Sequence, residues 1–189
     1  MLAGLTALLG GGNGGGGSFE SIQTYTLGSS QASVTFSGIS STWKHLQLRL
    51  ISQDTNNNNF PSSYDLEFNG AAGTDYDSHQ LVGDGSTASA GGFANRPYIR
   101  MTGSQTRAYT GMTDAFGASI IDILDYASTS KNKVVRAFTG AEANSAGQGY
   151  SVSFISGEWR STAAITQIKL TSGNSFSAKS TFALYGIKG

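Results

Sequence analysis

The stretch Trp43-Lys44-His45-Leu46-Gln47-Leu48-Arg49-Leu50 decides the fold class. Leu46, Leu48 and Leu50 alternate with Gln47 and Arg49, the two-residue period of a strand with one buried face. The same period recurs outward along the chain. Tyr64, Leu66 and Phe68 alternate with Asp65 and Glu67 and stop at the turn pair Asn69-Gly70. Val34 and Phe36 give a shorter version, and Phe182, Leu184 and Gly186 close the chain. Tyr150, Val152 and Phe154 read as another inward row, with serines on the opposite face. The run Ala118 to Leu124 is nearly all apolar, as expected of a central strand covered on both sides. Lys131-Asn132-Lys133 turns into Val134 to Thr139 as a hairpin, and Ile165, Thr166 and Ile168 make Ala163 to Leu170 a strand by propensity. The pattern predicts about nine or ten strands and no helix beyond a turn at residues 2 to 9. Its natural home is an all-β, antiparallel, jelly-roll-like sandwich of two packed sheets.

Composition narrows function more than fold. A length of 189 residues suits one domain with a sizeable core. Charged residues are only 13% of the chain, against about 25% in an average protein. The 12 basic and 12 acidic side chains cancel, so the electrostatic footprint of a nucleic-acid or anionic-membrane binder is missing. With no cysteine and two histidines, thiolate chemistry is excluded and a polyhistidine metal cluster is not expected.

Two parts are expected along the chain: an apolar, glycine-rich arm over residues 1–17 and one sandwich domain over 18–189. The arm carries Leu2, Leu5, Leu8 and Leu9 ahead of the glycine tract Gly10 to Gly17. It lacks the basic start of a signal peptide and is too short to span a membrane. Its leucines are expected to anchor the protein to a partner, with the glycines as a tether; a disordered leader on a glycine linker is the alternative. Asn56 to Asn59 and Ala88 to Asn95 read as loops, and no internal repeat is present.

The densest set of potential ligands is Asp75-Tyr76-Asp77-Ser78-His79 with Asp84-Gly85. Asp75, Asp77 and Asp84 could hold a cation if the loop folded back, but the spacing is not that of an EF-hand, and aspartate beside glycine is ordinary turn chemistry. Asp122 and Asp125 are the carboxylate pair a hydrolase could use, if the fold set their separation. No nucleophile elbow or phosphate-binding glycine motif accompanies them, and His45 reads as a rim residue beside Trp43. No catalytic residue and no cofactor is therefore expected. Trp43, Tyr98, Tyr109, Tyr126, Trp159 and Tyr185 read as core or subunit-interface anchors, with a sugar-stacking platform as the alternative.

Several phrases together resemble small structural proteins of tailed bacteriophages. They are Ser18-Phe19-Glu20-Ser21-Ile22, Val34-Thr35-Phe36, Trp43 to Arg49, Tyr76 to His79 with Gly83 to Ser86, and Ile121 to Tyr126. Gly157-Glu158-Trp159-Arg160-Ser161-Thr162 and the ending Phe182 to Lys188 carry the resemblance furthest. What it implies is a non-enzymatic virion protein, a fibre or capsid-decoration subunit assembled in the bacterial host cytoplasm and displayed on the particle surface. Virion symmetry implies a homo-oligomer, a trimer first. The implied partners are the capsid, the portal-tail or the baseplate, and a host surface glycan if the protein is instead a receptor-binding adhesin. A polysaccharide depolymerase is the more distant alternative.

Overall fold

The computed structural model describes residues 17–56, 62–107, 114–142 and 151–189. The arm leucines at 2, 5, 8 and 9, with Tyr109 and Tyr150, lie outside them. The described residues form twelve strands and no helix. In chain order these are β1 (Phe19–Thr26), β2 (Gln31–Ser37), β3 (His45–Asp54), β4 (Ser62–Phe68), β5 (Tyr76–Gly83) and β6 (Ala88–Arg96). They continue as β7 (Ile99–Arg107), β8 (Gly117–Leu124), β9 (Lys133–Ala141), β10 (Ser151–Trp159), β11 (Gln167–Phe176) and β12 (Thr181–Ile187).

One sheet runs β1-β12-β3-β8-β9-β10-β5-β6 and the other β2-β11-β4-β7, all antiparallel within each sheet. They join at one corner, where the end of β3 leaves the larger sheet. There Gln53 and Asp54 pair in parallel with Thr106 and Arg107 of β7, and Asp54 faces Phe176 of β11.

The deciding stretch behaves as its period predicts: Leu46, Leu48 and Leu50 are buried and Arg49 is exposed. Facing them are Val34 and Phe36 of β2, Tyr64, Leu66 and Phe68 of β4, and Ile168 and Leu170 of β11, all buried. Phe182 and Leu184 complete this core, with Phe176 edge-on to Phe182 at 4.8 Å between ring centres.

Four readings of the sequence are corrected. Ala88 to Asn95 is not a loop but most of β6, a small-residue strand held by its backbone pairing to β5. Strand β11 starts only at Gln167; Ala163 to Thr166 leads into it, with Ile165 buried. Strand β8 is covered on one side only: Ser119, Ile121 and Ile123 face inward, whereas Ile120 is 44% exposed. Most consequential is β10, whose phase is opposite to the expected one. Ser151, Ser153 and Ile155 point inward, and Val152 and Phe154 point to solvent.

The reason lies on the facing strand. β7 carries an irregularity in its pairing with β4, and Gly103 there adopts φ +60°. A Cβ on Gly103 would come within 2.1 Å of the Ser151 hydroxyl, and one on Gly157 within 2.7 Å of Ile99. Near Gly103 the sheets approach too closely for large side chains. Serine and threonine fit instead and bind β7 carbonyls: Ser151 Oγ donates to Gly103 O at 3.0 Å and Thr139 Oγ1 to Thr102 O at 3.1 Å.

Candidate functional site

The aspartates weighed as weak candidates for a cation are spread along β5. Asp77 stands near the start of β5 and Asp84 just beyond its end, about 23 Å apart by strand rise. Asp77 pairs with Arg160 Nη1 and accepts the Asn95 N–H at 2.7 Å. The guanidinium bond, then the Asn95 bond, holds its carboxyl below the ordinary range. Asp84 closes a turn, accepting Thr87 N–H at 2.6 Å, Ser86 N–H at 2.9 Å and the Thr87 hydroxyl at 2.8 Å. Those bonds, the Thr87 N–H first, lower its pKa too. Asp75 contributes its backbone carbonyl to Arg160 N–H at 2.8 Å. Among the described residues no three His, Cys, Asp or Glu side chains gather around one point.

Asp122 and Asp125 also have separate work. Asp122 lies on the outer face of β8, accepts Gln47 Nε2 at 2.7 Å and stands opposite Arg136 of β9. Asp125 follows β8 with φ +48° and binds Lys44 Nζ and Lys131 Nζ, each at 2.9 Å. Lys44 first, then Lys131, draws its pKa down to about 2. His45 accepts the Asp125 backbone N–H through Nδ1 at 3.0 Å, so it is a tie between loops at the rim.

The aromatic residues divide three ways. Trp159 stacks on Tyr76 at 6.1 Å inside the sandwich, and the Tyr76 hydroxyl accepts Phe68 N–H at 2.9 Å. Tyr126 donates its hydroxyl to the Ser40 carbonyl and accepts Trp43 N–H at 3.3 Å, while the Trp43 ring fills the space over Gly186. Outside, Tyr185 stacks on Phe19 at 4.9 Å beneath the Arg49 guanidinium.

Two surfaces emerge that sequence reasoning did not find. The first is a cleft of about 160 Å³ where β6 turns into β7, lined by Ser78, Phe93, Arg96, Tyr98 and Arg100. Arg96 lies over the Phe93 ring at 5.7 Å and Arg100 over Tyr98 at 5.2 Å. Arg100 is held by Asp65 at 3.1 Å, whereas Arg96 meets no carboxylate within ion-pair distance among the described residues. Burial raises the Asp65 pKa against the opposing pull of Arg100.

The second is the outer face of the large sheet. Leu81, Phe154, Phe138 and Ile120 stand directly opposite one another on β5, β10, β9 and β8. Phe154 is 61% exposed, Leu81 52% and Phe138 46%, and the two phenylalanine rings lie 4.8 Å apart. The missed signal was in the serines, whose inward fit reverses the phase of β10. Comparison with protein-family models, curated proteins and solved structures finds no match to this chain.

Proposed function

We propose that the protein is a non-enzymatic structural subunit of a phage particle, an exposed fibre or decoration protein that assembles with copies of itself. The observation that carries this reading is the apolar outer row through Phe138 and Phe154, a surface suited to contact with other protein. Its polar chemistry points the same way, because Asp77, Asp84, Asp122 and Asp125 are engaged in turns, ion pairs and strand ties. The resemblance to phage virion phrases supplies the setting: display on the particle surface, with Leu2, Leu5, Leu8 and Leu9 binding capsid, portal-tail or baseplate. The homo-oligomer is a trimer in this reading, with turnover of polysaccharide not expected.

Locating the chain in a reconstruction of intact particles tests the proposal. Density for it at stoichiometric copy number, lost when residues 1–17 are deleted from a folded protein, is the expected result. Particles without the chain, or release of new reducing ends from host polysaccharide by the purified protein, would reject it.

The cleft at the β6–β7 turn favours a second reading, a glycan-binding adhesin. Ring faces at Phe93 and Tyr98 beside the Arg96 guanidinium suit a sugar bearing a carboxylate. Titration with acidic oligosaccharides should then show binding that Arg96→Ala abolishes; equal affinity in both proteins removes this reading.

A further inference from the structure

We propose that the outer face of the eight-stranded sheet, centred on Phe138 and Phe154, is where a second copy of this chain packs. The inference deepens the assembly reading and rests on it only in expecting that copies meet; the surface itself follows from the strand register.

Register makes the patch continuous. The row Leu81–Phe154–Phe138–Ile120 crosses four neighbouring strands, and the adjacent row runs Gly83–Val152–Gly140–Ala118–Ile51. Val152 is 44% exposed and Ile51 52%, and the glycines and alanine between them leave the second row flat. A flat, apolar sheet face is what another sheet covers at about 10 Å separation.

Area decides that the face needs covering. The exposed parts of Leu81, Phe154, Phe138, Ile120, Val152 and Ile51 amount to roughly 550 Å² of apolar surface. That reaches the upper end of the ~300–600 Å² for the largest patch on ordinary monomers. It exceeds the apolar share of the ~800 Å² that each partner buries in a stable interface.

The surroundings favour a copy of the same chain. On one side the patch is bounded by Ser156, Arg136, Asp122 and Gln47, a polar row in which Arg136 faces Asp122. The rim is thus charge-balanced, and with 12 basic and 12 acidic residues overall, copies do not repel one another. An apolar row of this kind is self-complementary, the requirement for contact between identical surfaces. A bilayer fits poorly. Two adjacent apolar rows, about 7 Å apart on one face, fall well short of the ~25 Å band of a lipid-facing sheet.

Sedimentation velocity of the full chain over a broad micromolar range tests the inference, with Phe138→Ser/Phe154→Ser as the variant. The wild type should sediment as a multiple of 19.6 kDa. The variant should dissociate at least ~100-fold more readily while keeping the wild-type circular dichroism and, at dilutions where both proteins are monomeric, the wild-type Tm. Leu81→Lys provides a second disruption if the double variant does not fold. Hydroxyl-radical footprinting of the wild type should show Phe138 and Phe154 protected as concentration rises. A wild type that stays monomeric, or that sediments with phosphatidylcholine vesicles as a monomer, overturns the proposal. An unchanged oligomer in a folded variant, with both phenylalanines still reactive, overturns this face alone and leaves the assembly reading standing.

Discussion

The two ends of the large sheet solve the same packing problem in opposite ways. Around β3 and β12 the interior is leucine and phenylalanine, and Gln47, Arg49 and Tyr185 face outward. Around β9 and β10 the interior nearest Gly103 holds Thr139, Ser151 and Ser153, with Val135, Ile155 and Trp159 farther along, and the phenylalanines are outside. Both ends alternate with the same period, so the period alone does not say which set is buried. What differs is the facing strand. Opposite β3 the smaller sheet leaves room for large side chains. Opposite β10, the distorted β7 comes close at Gly103, and only small residues fit. Burial is decided there by the space available and by the hydrogen bonds that Ser151 and Thr139 make to β7 carbonyls.

The sharpest way to break this comparison is to truncate one large side chain at each end. Leu48→Ala should cost about 2–5 kcal/mol, because Leu48 is fully buried and a cavity remains. Phe154→Ala should cost the dissociated monomer no more than about 1 kcal/mol, the worth of its cross-strand contact with Phe138. Urea unfolding at concentrations low enough to keep the chain monomeric measures both. Equal losses would mean that Phe154 is a core residue and that the reversed phase of β10 is wrong.

The close approach itself can be probed next. Gly103→Ala forces a side chain into a φ of +60° and against the Ser151 hydroxyl. It should lower stability by about 1–3 kcal/mol. Ser151→Ala alone should cost about 1 kcal/mol, the loss of one hydrogen bond to a buried carbonyl. In the double variant the losses should be less than additive, because the hydroxyl that clashes has been removed. Strict additivity in denaturation midpoints would show that the two residues do not meet.

These contrasts also mark what was legible in the sequence. The Leu46–Leu50 alternation placed β3 correctly because nothing competes with a leucine row for a roomy interior. At β10 the same kind of reading chose the wrong face, since hydrophobicity was weighed without the partner that limits volume. Strand β6 was hidden for another reason: Ala, Ser and Gly carry almost no side-chain pattern, and its order comes from backbone pairing to β5. For the candidate sites, the turn role of Asp84 was readable from the following glycine. The Arg160 partner of Asp77, 83 positions away in sequence, was not. Asp54 shows the limit most clearly. Buried at the corner joining the sheets, it accepts Ser62 Oγ at 2.8 Å, Ser172 Oγ at 2.9 Å and Asn56 N–H at 2.7 Å, a cluster that exists only once three strands meet.

The smallest expected effect concerns the seam between the two ends. Asp125, at the end of β8, ties Lys44 ahead of β3 to Lys131 ahead of β9. Its folded pKa of about 2 lies below the 3.8 of a free aspartate, so the folded state favours the carboxylate. The resulting contribution is whole above about pH 4 and is lost as pH falls toward 2. Asp77 and Asp84 shift in the same direction and add to this acid loss. Asp65 runs the other way, because burial raises its pKa and protonation then favours the folded form. Wild-type acid behaviour is therefore a mixture, and only a difference isolates the seam. Asp125→Asn should lower Tm slightly at neutral pH and should lose less Tm than the wild type between pH 4 and 2. Thermal scans across that window measure it, with both proteins dilute so that self-association does not enter. Parallel curves would show that the Lys44–Asp125–Lys131 tie contributes nothing in solution, leaving the two ends joined by strand pairing alone.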